Sequence, residues 1–366
     1  MIILNVKLKN IYGFRDFAAD FTYPKKVVNS FIENEHLAGR PRFRYKKAVV
    51  MIGANATGKT SFGKSLVRIF RYIESGDEKG LFEMVTPGKC GEFIVDFVNE
   101  DFILNRISGR INPKEETAEI GYLATGIGQM DSYEMCAERL KSLVPATITD
   151  YKEVKAYTGK INYRFAYPEI EKDLKLSEIN NREFLNTMRA VVGTLDPTLK
   201  DVSVVKDLKN SFVIRRGNEE IIIQDGKLLN REALSSGTIE GIDVAAFLAA
   251  MKTVNNCFYY CDEHFSYIHS EIEKRIFGIM LDRLGDNEQL IFTTHNMDML
   301  DLNLPKHSYG FLRRERDDSD YDISIIFASE VLKRNTDSVR NAVENDVFLS
   351  LPDDSLLDEL EVDHEQ

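Results

Sequence analysis

The sequence predicts an α/β fold with a mixed sheet in two lobes and a helical insertion between them. Three observations predict it. A glycine-rich loop sits between an apolar run and an amphipathic helix, later apolar runs end in acids or a histidine, and a central stretch turns helical in its patterning. The loop is Gly53-Ala54-Asn55-Ala56-Thr57-Gly58-Lys59-Thr60, which fits GxxxxGK[ST]. Its glycines let the backbone curl so that successive N–H groups, with those of Ser61 and the helix start, surround a polyphosphate. Lys59 then reaches the outer phosphates as a point charge, and the Thr60 hydroxyl takes one position around an octahedral Mg²⁺. Context agrees with the motif. Ala48 to Ile52 is a β-branched apolar run that reads as a buried strand, and Ser61 to Ile73 carries Phe62, Leu66, Ile69 and Phe70 at helical spacing.

The bulk properties exclude several classes. With 47 basic and 59 acidic residues the formal charge is −12, the wrong sign for a protein that coats nucleic acid along its whole surface. No apolar run has membrane-spanning length, and MIILNVKLKN alternates like a strand rather than a signal peptide, so a cytoplasmic location and no membrane partner are expected. Cys90, Cys136, Cys257 and Cys261 are scattered without zinc-ligand spacing, which predicts reduced thiols.

The chain divides into an N-terminal lobe over residues 1 to 110, an insertion over 111 to 200, a C-terminal lobe over 201 to 350 and an acidic tail over 351 to 366. Residues 1 to 23 read as two strands joined at Tyr12-Gly13-Phe14. Arg40, Arg42, Arg44 and Lys46 alternate with other residues, so an extended chain puts four cations on one face. Such a row suits phosphates of nucleotide, RNA or DNA, an acidic protein surface, or simply a charged edge strand. Gly91 to Val98 and Asp101 to Arg106 read as paired strands around Asn99-Glu100. The insertion carries helical patterns at Glu134 to Leu143 and Arg182 to Leu195, without sustained heptads, and Asp196-Pro197 ends it. Ser211 to Arg216 and Glu220 to Gln224 are strands around Gly217-Asn218.

Two further sites follow. Leu234-Ser235-Ser236-Gly237-Thr238 precedes a helix from Ile239 to Val254 in which Ile242, Ala246 and Met251 face a core. The serines read as a helix cap, or as an anion site built from free helical amides and a hydroxyl. Cys257 to Cys261 is an apolar strand ending in Asp262-Glu263. Those acids read as an exposed turn or, after a phosphate-binding loop, as an Mg²⁺ ligand (Asp262) and an acceptor for the attacking water's proton (Glu263). Gln289 to Thr294 is a third apolar strand, ending at His295-Asn296; strand-end placement in a parallel sheet aims His295 at the ligand edge.

In their order, GANATGKT, LSSGT, FYYCDE and IFTTHN resemble the ABC-type ATPase heads of the RecF, SMC and double-strand-break-repair proteins, over nearly the whole chain. The resemblance implies ATP and Mg²⁺ as cofactors and an ATP-sandwich homodimer, or a larger ring of such pairs. In it Lys59, Thr60, Asp262 and Glu263 of one subunit face Ser235, Ser236 and Gly237 of the other. It implies that His295 senses the outer phosphate, that Ser266 lies in the segment joining the two sites, and that Arg15 helps hold nucleotide. Gln129 is the candidate for a further glutamine of the family. Ala56 replaces the glycine usual in repair heads, and Ala-Asn-Ala, with Asp262 to His269 and Asn345 to Pro352, is similar to the compact bacterial ATPases of anti-phage systems, among them the PARIS, retron-associated and OLD-type ones. That similarity implies a sensor or switch subunit controlling a separate effector nuclease. A RecF-like repair ATPase and a slow ATP-gated scaffold that stores an effector are the alternatives.

Overall fold

A computed structural model describes residues 1–27, 30–166, 176, 179–199, 201–205, 208, 210–263, 265–317, 320–334 and 336–350. In chain order the N-terminal part comprises β1 (Ile2–Lys9), β2 (Phe17–Asp20), β3 (His36–Leu37), β4 (Arg40–Arg44), β5 (Ala48–Ile52), α1 (Lys59–Ser75), α2 (Glu78–Glu83), β6 (Gly91–Val98) and β7 (Ile103–Asn112). The middle comprises β8 (Thr117–Gly126), α3 (Tyr133–Lys141), β9 (Ala146–Ile148), α4 (Tyr151–Thr158), β10 (Asn162–Ala166) and α5 (Asn181–Leu195). Then come β11 (Asp201–Val204), β12 (Phe212–Arg216), β13 (Glu219–Gln224), β14 (Lys227–Leu228), α6 (Ser236–Thr253), β15 (Cys257–Asp262), α7 (Ser270–Arg283), β16 (Gln289–Thr294), β17 (Tyr309–Asp317), β18 (Asp320–Phe327), α8 (Ala328–Val331) and α9 (Val339–Glu344).

The central sheet has the order β10-β15-β16-β5-β17-β18, parallel from β10 through β17 and closed by the antiparallel β18. Its strands read as unbroken apolar runs because both faces are covered. Period two divides them. Val49, Met51, Phe258, Tyr260 and Ile291 enter one core, and Ala48, Val50, Ile52, Tyr259, Cys261, Leu290 and Phe292 enter the other. On the first side α1 buries Phe62, Leu66, Ile69 and Phe70 between this sheet and an antiparallel sheet of order β2-β1-β6-β7-β8-β9. Each such side chain contributes about 1.5–3 kcal/mol of burial. On the second side lie α5, α6 and α7 with a small sheet of order β11-β12-β13-β14. Near the end of the described chain Phe348 stacks on Phe311 with centroids 4.0 Å apart, pinning the segment after α9 to this core.

Residues 111 to 200, expected as a helical insertion, also carry β8, β9 and β10. The alternation of Ala118, Ile120, Tyr122 and Ala124 is strand-like and pairs with β7 throughout. β10 goes further, joining the central sheet beside β15. The stretch is therefore woven into both lobes. β7 starts at Ile103 rather than Asp101, because Phe102 takes a left-handed φ of 56° in the turn. The tail over 351 to 366 lies outside the described residues.

The four-cation row does not form. β4 ends at Arg44; Arg40 donates from Nε to Ile127 O at 2.9 Å and covers the Phe102 ring at 3.7 Å. Lys46 is buried, donates to Asp20 O and lies 3.5 Å above the Phe327 ring. Period two fixed the side on which these residues point, and tertiary contacts then consumed two of them. No helix among the described residues is long and apolar enough to cross a membrane.

One buried acid gives the fold a pH dependence. Burial pushes the Glu288 carboxyl from 4.5 up to about 7, against the pull of the Gly285 N–H that it accepts at 2.8 Å. A carboxyl raised in the folded state favours folding while protonated, so its contribution is full below pH 4.5 and lost as pH climbs to about 7. Unfolding titrations across that window are expected to show a fall of stability with rising pH that Glu288→Gln flattens.

Candidate functional site

The P-loop leaves β5 at the carboxyl edge of the central sheet, where α/β sheets hold their ligands. Gly58 caps α1 with φ 93°, a conformation open to glycine, and a Cβ there would meet the Phe14 ring at 2.9 Å. Ala56 holds a left-handed φ of 64°. Lys59 is buried, donating from Nζ to Gly53 O at 2.5 Å and Ala54 O at 3.0 Å, and pairs with Glu263 Oε1 at 3.0 Å. The loop is thus folded back over its own lysine.

β15 delivers the two acids into this loop. Asp262 is fully buried and accepts from Thr60 Oγ1 at 2.6 Å on one oxygen and from Thr293 Oγ1 at 2.7 Å on the other. Burial raises its carboxyl above the usual range, opposed by those two hydroxyls and by the Lys59 charge. Thr60 and Asp262 therefore set two hard oxygens side by side, one of them a desolvated anion, which is the donor chemistry Mg²⁺ takes. The residues fit the ion. At Glu263 the backbone turns out of the strand with φ 42°, held by its N–H to Thr293 O and Oγ1, both at 3.1 Å. That turn swings its side chain toward Lys59, and strained backbone of this kind gathers at working sites.

Sequence reasoning missed the two threonines that end β16. Thr293 ties Asp262 to Glu263, while Thr294, on the opposite face of the strand, donates to Glu273 Oε1 at 2.9 Å. Glu273, buried on α7, also accepts from Asn296 Nδ2 at 2.6 Å. Residues on both sides of His295 are thereby fixed to one carboxylate. His295 itself is exposed and lines, with Glu263, Ser266 and Glu273, a cleft of about 190 Å³ beside the P-loop. Thr293→Val is expected to lower stability by about 1–3 kcal/mol, because it strips a donor from the buried Asp262. Thr293→Ser should restore it in denaturant unfolding.

The P-loop itself opens into a larger cleft of about 420 Å³, lined by Asn55 to Ser61, Glu263, Tyr12, Gly13 and the β17–β18 hairpin. Gly53 lies behind it, giving its carbonyl to Lys59. Arg15 does not line this cleft; the β1–β2 turn offers Tyr12 and Gly13 instead. Gln129 is exposed in the loop after β8 and lines neither cleft.

Ser235, Ser236 and Gly237 do not meet the P-loop within the chain. Ser235 caps α6, accepting from Thr238 N at 3.2 Å, and Ser235 and Ser236 are exposed. A Cβ on Gly237 would meet Tyr267 O at 2.9 Å, and Tyr267 N donates to the buried Glu240 Oε2 at 3.2 Å. The start of α6 is thus fitted to the segment that follows Glu263.

No protein-family model matches the chain, and no curated protein matches it. Solved structures do. The head of an SMC protein bound to the C-terminal winged-helix domain of ScpA is 14% identical, covering 91% of this chain and 100% of its own, with a TM-score of 0.55. The Pyrococcus furiosus SMC head with an extended coiled coil, bound to the C-terminal domain of ScpA, is 11% identical over 91% of this chain and 98% of its own, with a TM-score of 0.54. The recombination mediator protein RecF is 10% identical over 88% of this chain and 97% of its own, with a TM-score of 0.45. The chain has the fold of an ABC-type ATPase head.

Proposed function

We propose that this protein binds Mg-ATP in the P-loop cleft and hydrolyses it between two copies of the chain. The observation that carries this reading is the meeting of Lys59, Thr60, Asp262 and Glu263, from two distant parts of the sequence, in one cleft at the carboxyl edge of the sheet. The Lys59 ammonium holds the outer phosphates, and the amides of residues 54 to 60 surround them. Thr60 and Asp262 would hold Mg²⁺, which would supply charge neutralisation on the phosphate oxygens. Glu263 orients the attacking water and accepts its proton, and most of the acceleration is positioning and electrostatic. His295, at the adjoining cleft, reads the outer phosphate. Ser235, Ser236 and Gly237 of a partner copy complete the site, a role supported by the exposure of the two serines at the start of a long helix away from the chain's own P-loop.

Beyond the ATPase, the reading is a switch subunit of an anti-phage system that controls a separate effector nuclease, supported by the Ala-Asn-Ala loop and the Asp262 to His269 segment. ATP turnover with mass in solution, measured with and without duplex DNA, tests it. ATP-dependent assembly with turnover indifferent to DNA is expected. Strong stimulation by DNA would move the role to repair, and assembly without turnover would leave a scaffold.

A further inference from the structure

One wall of the P-loop cleft is not used by the phosphate chemistry. β17 pairs with β5 only as far as Phe311, and beyond it runs on as a two-stranded hairpin with β18. Moving outward from the loop, this hairpin first presents Ile323, whose Cδ1 lies 3.5 Å from the position of a Cβ on Gly58. Arg314 is its partner across the strands. Tyr321 lies one step nearer the tip on β18, and the Arg314 guanidinium leans toward it, 3.9 Å from the ring centroid. Arg314, Tyr321 and Ile323 line the same 420 Å³ cleft as Lys59 and Thr60. The order along the wall is therefore an apolar contact at the loop and a planar cation on an aromatic ring further out.

We infer that the Arg314–Tyr321 pair seats the base of the bound nucleotide, a purine stacked on the guanidinium while its phosphates rest on residues 54 to 60. This rests on the nucleotide reading above and adds where the base goes and how it is chosen. A guanidinium is planar, delocalised and weakly hydrated, so it accepts a ring on one face while its other face lies on tyrosine. Stacking rewards area and does not read edges, which favours purines over pyrimidines without separating adenine from guanine. Telling those two apart needs a hydrogen-bonding group, such as a side-chain amide or carboxylate, opposite the base edge. Among the described residues the hairpin lines the cleft with Arg314, Tyr321 and Ile323, none of them an amide or a carboxylate, and the neighbouring Arg313 is turned to Ser324 Oγ at 2.9 Å. By the stacking pair alone, the site takes purine nucleoside triphosphates, ATP and GTP alike.

Calorimetric titration of the full chain with ATP, GTP, CTP and tripolyphosphate, a probe without a base, tests this. Wild type should bind ATP and GTP within about threefold and CTP about tenfold more weakly, as expected for stacking alone. Arg314→Ala and Tyr321→Ala should each weaken ATP and GTP about tenfold and leave tripolyphosphate unchanged. Arg314→Lys, which keeps the charge and loses the plane, should behave like the alanine variant, and Tyr321→Phe like wild type. Equal losses for tripolyphosphate would make Arg314 a phosphate contact and overturn the proposal, as would unchanged ATP binding in both alanine variants or a strong preference for ATP over GTP. Lys59→Ala separates the two levels: if it alters neither ATP nor tripolyphosphate binding, the nucleotide reading itself fails, whatever the hairpin variants do.

Discussion

Replacing Glu263 by glutamine is expected to slow ATP hydrolysis by about 10²–10⁴-fold while ATP still binds. Glutamine keeps the size and the hydrogen-bonding reach of the side chain but has no basic oxygen to take a proton from water. The backbone turn at Glu263 is held by Thr293 rather than by the carboxylate, so the substitution leaves the site's frame in place. Two consequences are measurable together. Single-turnover phosphate release should collapse, and the ATP-bound assembly seen by mass in solution should outlive that of wild type. Hydrolysis close to the wild-type rate would remove Glu263 from the chemistry. In cells the same variant separates a switch from a scaffold, because trapping the assembled state changes the outcome only where turnover is needed.

Lys59→Ala is expected to weaken ATP binding by roughly 10–100-fold, the worth of charge-assisted hydrogen bonds to a polyphosphate. Lys59 also braces the curl of the loop through Gly53 O and Ala54 O, so some loss of stability accompanies the substitution. The two effects are separable by linkage. A ligand that binds only the folded state raises the melting temperature with its concentration. Wild type should therefore show an ATP-dependent rise, and the variant, whatever its baseline, a rise far smaller at the same ATP concentration. An equal rise in both would place nucleotide elsewhere.

Much of this site is legible in the chain because its signals are local. The strand, loop and helix around residues 48 to 73 lie in one stretch, and apolar runs ending at Asp262 and His295 announce parallel strands by their lack of alternation. The supports are not legible, because they depend on pairings between distant segments. Thr293 and Thr294 close a β-branched strand and look like strand formers. Only the order β15-β16-β5 puts one against Asp262 and the other against Glu273. Glu273 looks like an ordinary acid in a first helical turn, where the dipole favours it, and its burial is a fact of packing. β10 is five residues long and meets β15 across more than ninety residues of chain, so no periodicity marks it as a sheet partner. The basic row failed for a related reason, since alternation predicts direction and says nothing about Phe102 or Phe327 waiting on that side.

On the proposed reading, one chain holds half of a catalytic site. The most direct test is the initial rate of phosphate release per subunit, followed across a wide dilution series at saturating Mg-ATP, with Glu263→Gln as the blank. A site shared between two copies gives a specific activity that climbs with protein concentration to a plateau, in step with the mass of the assembly. A specific activity that stays constant down to concentrations where the protein is a monomer would contradict it, and would assign the whole reaction to Lys59, Asp262 and Glu263 of a single subunit.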